Sequence, residues 1–308
     1  MCAKQNSCMQ KIKAAIVGYG NIGKNVLAAL RAAPDFEVAG VVRRTSSLQS
    51  LPAEIQNVSV VDHISKLNGV DVAILCLPTR SIPAQAKEIL ALGINTVDSY
   101  DIHASIWELR QELASVAREH QAVSIVSAGW DPGSDSVIRS LFEAIYPQAT
   151  TYTNFGPGMS MGHTVAAKAI PGVKKALSIT IPAGKGKHNR DVFIELEEGY
   201  DLEEVTQKIK NDAYFVKDNT QVTLVEDVDA LINTTHGVHI VRQDETQSDT
   251  EYGLEFSMRI NNPVLTAQVM VACARATMKA QPGAYTMIEI PVIDMLYGKR
   301  EELVRRLV

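Results

Sequence analysis

Lys11-Ile12-Lys13-Ala14-Ala15-Ile16-Val17-Gly18-Tyr19-Gly20-Asn21-Ile22-Gly23-Lys24-Asn25-Val26 is the stretch that decides the fold. The run Lys11–Val17 reads as a strand. It enters three glycines spaced G-x-G-x-x-G, and helical spacing follows at Ile22, Val26, Leu27 and Leu30 until Pro34. Each glycine has a separate physical task. Gly18 permits the tight turn, Gly20 lets a pyrophosphate approach the backbone, and Gly23 lets the helix pack closely on the strand. The helix N-terminus then stabilises the phosphates. Gly18, Tyr19, Gly20, Asn21, Ile22 and Gly23 are therefore candidate cofactor contacts.

The end of the next strand, Phe36–Val42, selects between cofactors. An acid there bonds a free ribose hydroxyl, but this chain has Arg43-Arg44-Thr45-Ser46-Ser47. Arg43 and Arg44 can clamp a 2′-phosphate with bidentate bonds. NADP(H) is expected over NAD(H).

Further strands are predicted over Val70–Leu77, Ile94–Val97 and Ala122–Ser127. Helices are predicted over Pro83–Leu92 and Ile106–His120. Continuous apolar strands alternating with helices imply a parallel sheet covered on both faces. Thr79 and Arg80 follow the third strand and face the ligand crevice, though Thr79 or Ser81 can equally cap the next helix. After Gly129 the texture changes. Thr150–His163, rich in glycine, reads as a backbone-positioning loop. Strands are predicted over Val173–Ile181, Arg190–Leu196, Gln221–Glu226, Val238–Arg242 and Leu254–Ile260, with a helix over Leu202–Lys210. Gln243–Tyr252 reads as an exposed hairpin tip. Strands in series suggest an antiparallel sheet and a second domain of α+β type, before Pro263–Lys279 returns to a helical pattern.

The whole chain has 308 residues, which fits two domains. Its composition, 46% hydrophobic and 21% charged, is that of a globular protein. The net charge of −5 disfavours nucleic acid or anionic membrane as a general partner. Cys2, Cys8, Cys76 and Cys273 contain no Cys-x-x-Cys pair, and residues 1–10 have no apolar signal core. No window reaches the roughly 20 apolar residues of a membrane span, and a cytoplasmic protein is expected.

Two strand ends carry the candidate chemistry. Val97 leads into Asp98-Ser99-Tyr100-Asp101-Ile102-His103, and Val126 leads into Ser127-Ala128-Gly129-Trp130-Asp131-Pro132-Gly133. Parallel strands present their C-terminal ends together, so acids from both loops approach one crevice. Two carboxylates there can hold an ammonium group or accept its proton, whereas capping and turn roles are the alternative for any one of them. Asp98 is the one expected to be structural. Thr180, Arg190, His236 and Asn262 lie near strand ends further on. Arg190 follows Gly184-Lys185-Gly186-Lys187-His188, read as a flexible basic loop, and can bind a carboxylate. His236-x-x-His239 lacks the spacing and partners of a zinc site, so no metal is expected.

These segments together resemble the meso-diaminopimelate D-dehydrogenase family. The resemblance rests on Ala15–Gly23, Thr96–His103, Gly129–Gly133, Phe155–His163, Ala169-Ile170-Pro171-Gly172-Val173 and Arg259-Ile260-Asn261-Asn262-Pro263. It implies NADP-dependent, reversible oxidative deamination of meso-2,6-diaminopimelate, with ammonia as the second small ligand. It also implies that Asp101 and Asp131 hold the amino group at the D-centre beside Trp130. Phe155 with the backbone of Met161 and Gly162 would form the pocket wall. Thr180, Arg190, His236 and Asn262 would recognise the L-centre. The implied architecture is a Rossmann-type doubly wound parallel sheet over 1–129, completed by 263–308. A substrate-binding and dimerisation domain spans 130–262, and the protein is a homodimer. The Thr180–Arg190 connection is short beside members with an insertion there, which implies room for other D-amino acids. Competing readings are a related NADPH reductase of a carbonyl or cyclic imine, dihydrodipicolinate-reductase-like, and a non-catalytic NADP(H) sensor.

Overall fold

The computed structural model describes residues 11–231, 236–244 and 253–308. The chain divides into two compact units. One runs to Val137 and resumes over Pro263–Val308, and the other is Ile138–Asn262.

In chain order the first unit contains β1 Ile12–Val17, α1 Asn21–Ala32, β2 Phe36–Val42, β3 Val60–Val61, β4 Val72–Leu75, α2 Ile82–Leu90, β5 Asn95–Asp98, α3 Ile106–Glu119 and β6 Val123–Ile125. Helix α4, Ser134–Ile145, crosses the boundary between units. The second unit contains β7 Thr150–Phe155, β8 Gly158–Met159, α5 Met161–Lys168, β9 Val173–Gly184, β10 Lys187–Leu196, α6 Leu202–Asn211, β11 Asn219–Leu224, β12 His236–Gln243 and β13 Gly253–Ile260. The chain closes with α7 Asn262–Thr277, β14 Gly283–Tyr285 and α8 Arg300–Leu307.

The large sheet has the order β14-β6-β5-β4-β1-β2-β3, and every pairing in it is parallel. Strand alternation explains why it is covered on both faces. Ala14 and Ile16 of β1 join Val72 and Ile74 of β4 in one core, with α1 and α7. Ala15 and Val17 join Ala73 and Leu75 in the other, with α2 and α3. Each fully buried Leu or Ile in these layers contributes about 1.5–3 kcal/mol. Helix α1 buries Gly23, Val26, Leu27, Ala29 and Leu30 on one stripe and stops before Pro34. The doubly wound, Rossmann-type sheet expected from the alternating pattern is present.

The second unit carries two sheets, β11-β10-β9-β8 and β13-β12-β7. The β10–β11 pair is parallel rather than antiparallel, because the crossover helix α6 joins them. Val192 and Ile194 of β10 pack with Val205, Ile209 and Phe215 in a separate core.

Three local readings need correction. Thr150–His163 is not a loop but β7, β8 and the start of α5. The β-prone run Thr150–Phe155 outweighs the turn signal of the glycines that follow it. Gly184–His188 is not a flexible loop. Lys185 and Gly186 have φ of 48° and 72°, the geometry of a tight two-residue hairpin turn between β9 and β10. Arg190 and Thr180 consequently lie within strands, not near their ends. The tip expected over Gln243–Tyr252 lies mostly outside the described residues. No helix among the described residues is long and apolar enough to cross a membrane.

Candidate active site

Strand β1 lies between β2 and β4, so the chain reverses its direction of sheet growth there. The crevice beyond the C-terminal ends of β1 and β4 is the switch point of the sheet, where ligands bind in such folds. Gly18 sits at φ 92°, and a Cβ on it would meet Cys76 O at 2.5 Å. A Cβ on Gly23 would meet Gly18 O at 2.4 Å, so side chains at either position would open the turn. A Cβ on Gly20 would meet nothing within 4 Å. Gly20 is the N-cap of α1 and gives it no side-chain cap, which leaves the first-turn N–H groups of Asn21 and Ile22 for an anion. Tyr19 is half-buried beside this turn. These residues fit a dinucleotide pyrophosphate.

Arg43 and Arg44 follow β2 directly. The Arg43 N–H donates to Val61 O, and its Nη1 donates to Ser50 O at 3.3 Å. Arg44 is exposed. Thr79 does not cap a helix. Its Oγ1 accepts from the Asp101 N–H at 3.1 Å and ties the loop after β4 to the loop after β5. Arg80 is exposed beside it.

Asp98 joins the two acidic loops. Its Oδ1 accepts from the Tyr100 N–H at 2.9 Å and the Ser127 N–H at 3.1 Å, and the Ala128 N–H donates to its carbonyl at 2.6 Å. The carboxylate is fully buried. Burial pushes its pKa up to about 6, opposed by the two backbone hydrogen bonds. An acid raised in the folded state binds its proton more tightly there. Its stabilising effect is therefore full at low pH and is lost as pH rises from about 4 through 6. Asp98→Asn keeps an acceptor for both N–H groups and has no proton to lose. Between pH 4 and pH 7 the variant is expected to gain up to about 3 kcal/mol relative to the wild type. Urea unfolding across that range measures this, and a difference that is constant with pH contradicts it.

Asp101 is half-buried, and its Oδ1 is a buried acceptor with no hydrogen-bond partner among the described residues. Trp130 is buried, at 6% exposure. The turn that carries Asp131 is set by backbone bonds. Gly129 N–H donates to Pro132 O, Ser134 N–H to Gly129 O, and Asp135 N–H to Trp130 O. Gly133 closes it at φ 146°, where a Cβ would fall 2.0 Å from Gly129 O. The Asp131 side chain takes no part in those bonds. His103 Nε2 stands 3.9 Å from Asp131 Oδ2.

In the second unit Arg190 is central. It shares the face of Val192 and Ile194 on β10, with Thr180 opposite on β9 and Asp218 immediately before β11. Its Nε donates to Asp218 Oδ2 at 2.6 Å, and its Nη1 donates to Thr180 Oγ1. Met161 and Gly162 open α5, both half-buried. Phe155 stacks on His236 with ring centres 6.5 Å apart, and its N–H donates to His188 Nε2 at 2.8 Å. His236 is buried at the start of β12, and Asn262 is half-buried at the start of α7. Sequence reading does not single out Asp218, His163 or His188. Asp218 pairs with Arg190 across 28 residues, and only the sheet brings them together.

Known proteins decide what this arrangement belongs to. Residues 12–128 match the family described as "Oxidoreductase family, NAD-binding Rossmann fold". Residues 129–186 match "Diaminopimelic acid dehydrogenase C-terminal domain". A meso-diaminopimelate D-dehydrogenase from Bacteroides fragilis is 62% identical over 300 residues, 97% of this chain and 100% of that one. The chain belongs to the meso-diaminopimelate D-dehydrogenase family. Two solved structures agree with that. C. glutamicum DAP dehydrogenase in complex with DAP has a TM-score of 0.87 and 29% identity, over 97% of this chain and 100% of that one. An engineered D-amino acid dehydrogenase bound to NADP+ has a TM-score of 0.84 and 27% identity, over the same shares. The meso-diaminopimelate D-dehydrogenase family is one of amino acid dehydrogenases, so the chain is an NAD(P)-binding oxidoreductase of the Rossmann type.

Proposed function

We propose that the chain catalyses the reversible oxidative deamination of the D-centre of meso-2,6-diaminopimelate, with NADP as cofactor. The observation that carries this is the acidic pair at one end of the parallel sheet. Asp101 and Asp131 follow neighbouring strands whose ends Asp98 joins, and Asp101 keeps a buried acceptor oxygen without a hydrogen-bond partner among the described residues. A substrate ammonium satisfies such an acceptor.

In this reading Gly18, Tyr19, Gly20, Asn21, Ile22 and Gly23 surround the pyrophosphate, Arg43 and Arg44 clamp the 2′-phosphate, and Thr79 and Arg80 border the cofactor. When bound, the nicotinamide supplies the hydride acceptor. Asp101 and Asp131 orient the D-ammonium, and Asp131 accepts its proton, because only the neutral amine can release hydride from its α-carbon. Trp130, buried beside them, keeps water from the amine. Water then adds to the imine carbon and ammonia leaves, giving L-2-amino-6-oxopimelate, which cyclises to tetrahydrodipicolinate. Thr180, Arg190, His236 and Asn262 hold the L-centre, with Phe155, Met161 and Gly162 as pocket wall. Anchoring the L end is what presents the D carbon for reaction. Residues 130–262 serve as the substrate-binding and dimerisation domain of a cytoplasmic homodimer, and the short Thr180–Arg190 connection supports activity on other D-amino acids. Initial rates of NADPH formation from meso- and LL-diaminopimelate, with NADP+ and with NAD+, test the activity and the cofactor together.

A further inference from the structure

The second unit holds a polar cluster around Arg190 whose other members, Asp218, His163 and Ser160, have no role in the reaction as described. Arg190 is 7% exposed, and its guanidinium is held on two sides by Asp218 and Thr180. Its Nη2 has no protein hydrogen-bond partner among the described residues. His163 Nε2 lies 3.9 Å from the Asp218 Oδ2 that Arg190 bonds. The His163 ring is fixed by Ser160 Oγ at 2.9 Å from Nδ1, and by edge-on contacts with Tyr214 and Phe215 at 5.4 and 5.2 Å.

Asp218 takes the Nε N–H and Thr180 accepts from Nη1, which leaves the Nη2 donors for an incoming carboxylate. An arginine stem has several rotatable bonds, and a bidentate grip on a carboxylate requires the fork to be held in one plane. Burial of the His163 ring pushes its pKa down to about 4, and the nearby Arg190 charge acts in the same direction. The ring is therefore neutral near pH 7 and does not compete with Arg190 for the Asp218 carboxylate.

We propose that Asp218 is a positioning residue that orients Arg190 toward the distal carboxylate of the substrate. This rests on the reading of Arg190 as the anchor of the L-centre. Asp218 does not touch substrate. It acts by holding Nε, so the Nη side is already aligned when the carboxylate arrives.

Steady-state kinetics on four variants test it. Asp218→Ala is expected to raise KM for meso-diaminopimelate about tenfold or more, since a decade is about 1.4 kcal/mol of binding. It should leave kcat within threefold and KM for NADP+ unchanged. Asp218→Asn retains an oxygen that accepts from Nε, and is expected to restore KM to within threefold of the wild type. In the Arg190→Met background, Asp218→Ala is expected to change KM less than twofold, because its route of action is gone. If Asp218→Ala does not fold, Asp218→Ser takes its place with the same expectation. A KM within twofold of the wild type in Asp218→Ala overturns the inference. So do parallel changes in kcat and KM for NADP+, or failure of Asp218→Asn to restore KM. An unchanged KM in Arg190→Met alone overturns instead the anchor role on which the inference rests.

Discussion

Asp131→Asn is expected to lower kcat for meso-diaminopimelate oxidation by about a hundredfold or more, the usual range for losing a positioned general base. Asparagine preserves the size of the side chain and its acceptor oxygen but cannot take a proton from the amine. The turn around it should survive, because its bonds run between the backbones of Gly129, Trp130, Pro132, Ser134 and Asp135. A thermal transition close to the wild type, combined with a large loss of kcat, places the effect in the chemistry rather than the fold. Full activity in Asp131→Asn removes this residue from the amine site.

Arg190→Met is expected to raise KM for meso-diaminopimelate roughly tenfold or more, with kcat less affected. Methionine replaces much of the aliphatic stem and none of the donors. The loss falls on a carboxylate held equally before and during reaction, and such binding appears in KM. A second consequence follows from the ion pair. Removing Arg190 leaves the Asp218 carboxylate, 18% exposed, without its cation, so the unfolding temperature should fall as well. Asp218→Asn in the Arg190→Met background should recover much of that stability without recovering KM. An unchanged KM excludes Arg190 from the anchor.

The parallel sheet was readable because its signals are local. Gly18 and Gly20 lie between a strand and a helix, Gly23 lies in the first turn of that helix, and Val72–Leu75 is apolar on both faces. Asp98 stood apart from Asp101 and Asp131 as the structural acid, and its two backbone bonds show how it joins the loops. What escaped reading depends on distant partners. Gly283–Tyr285 has no periodicity of its own and becomes a strand only through its pairing with Val123–Ile125. Lys185–Gly186 resembles flexible chain until the two long strands on either side demand a tight turn. The Arg190–Asp218 pair has no signature in a single sequence, since a sheet register and a crossover helix bring the two together.

The central claim is that hydride leaves a D-configured carbon of diaminopimelate for NADP+. The most direct measurement is the initial rate of NADPH formation with the purified protein, comparing meso-diaminopimelate with its LL isomer at equal concentration. The LL isomer offers the same carboxylates, amines and length but no D-centre. The proposed activity predicts NADPH formation from the meso compound, a slower rate when NAD+ replaces NADP+, and no rate above background from the LL isomer. Comparable turnover of both isomers, or none of the meso compound, would contradict it.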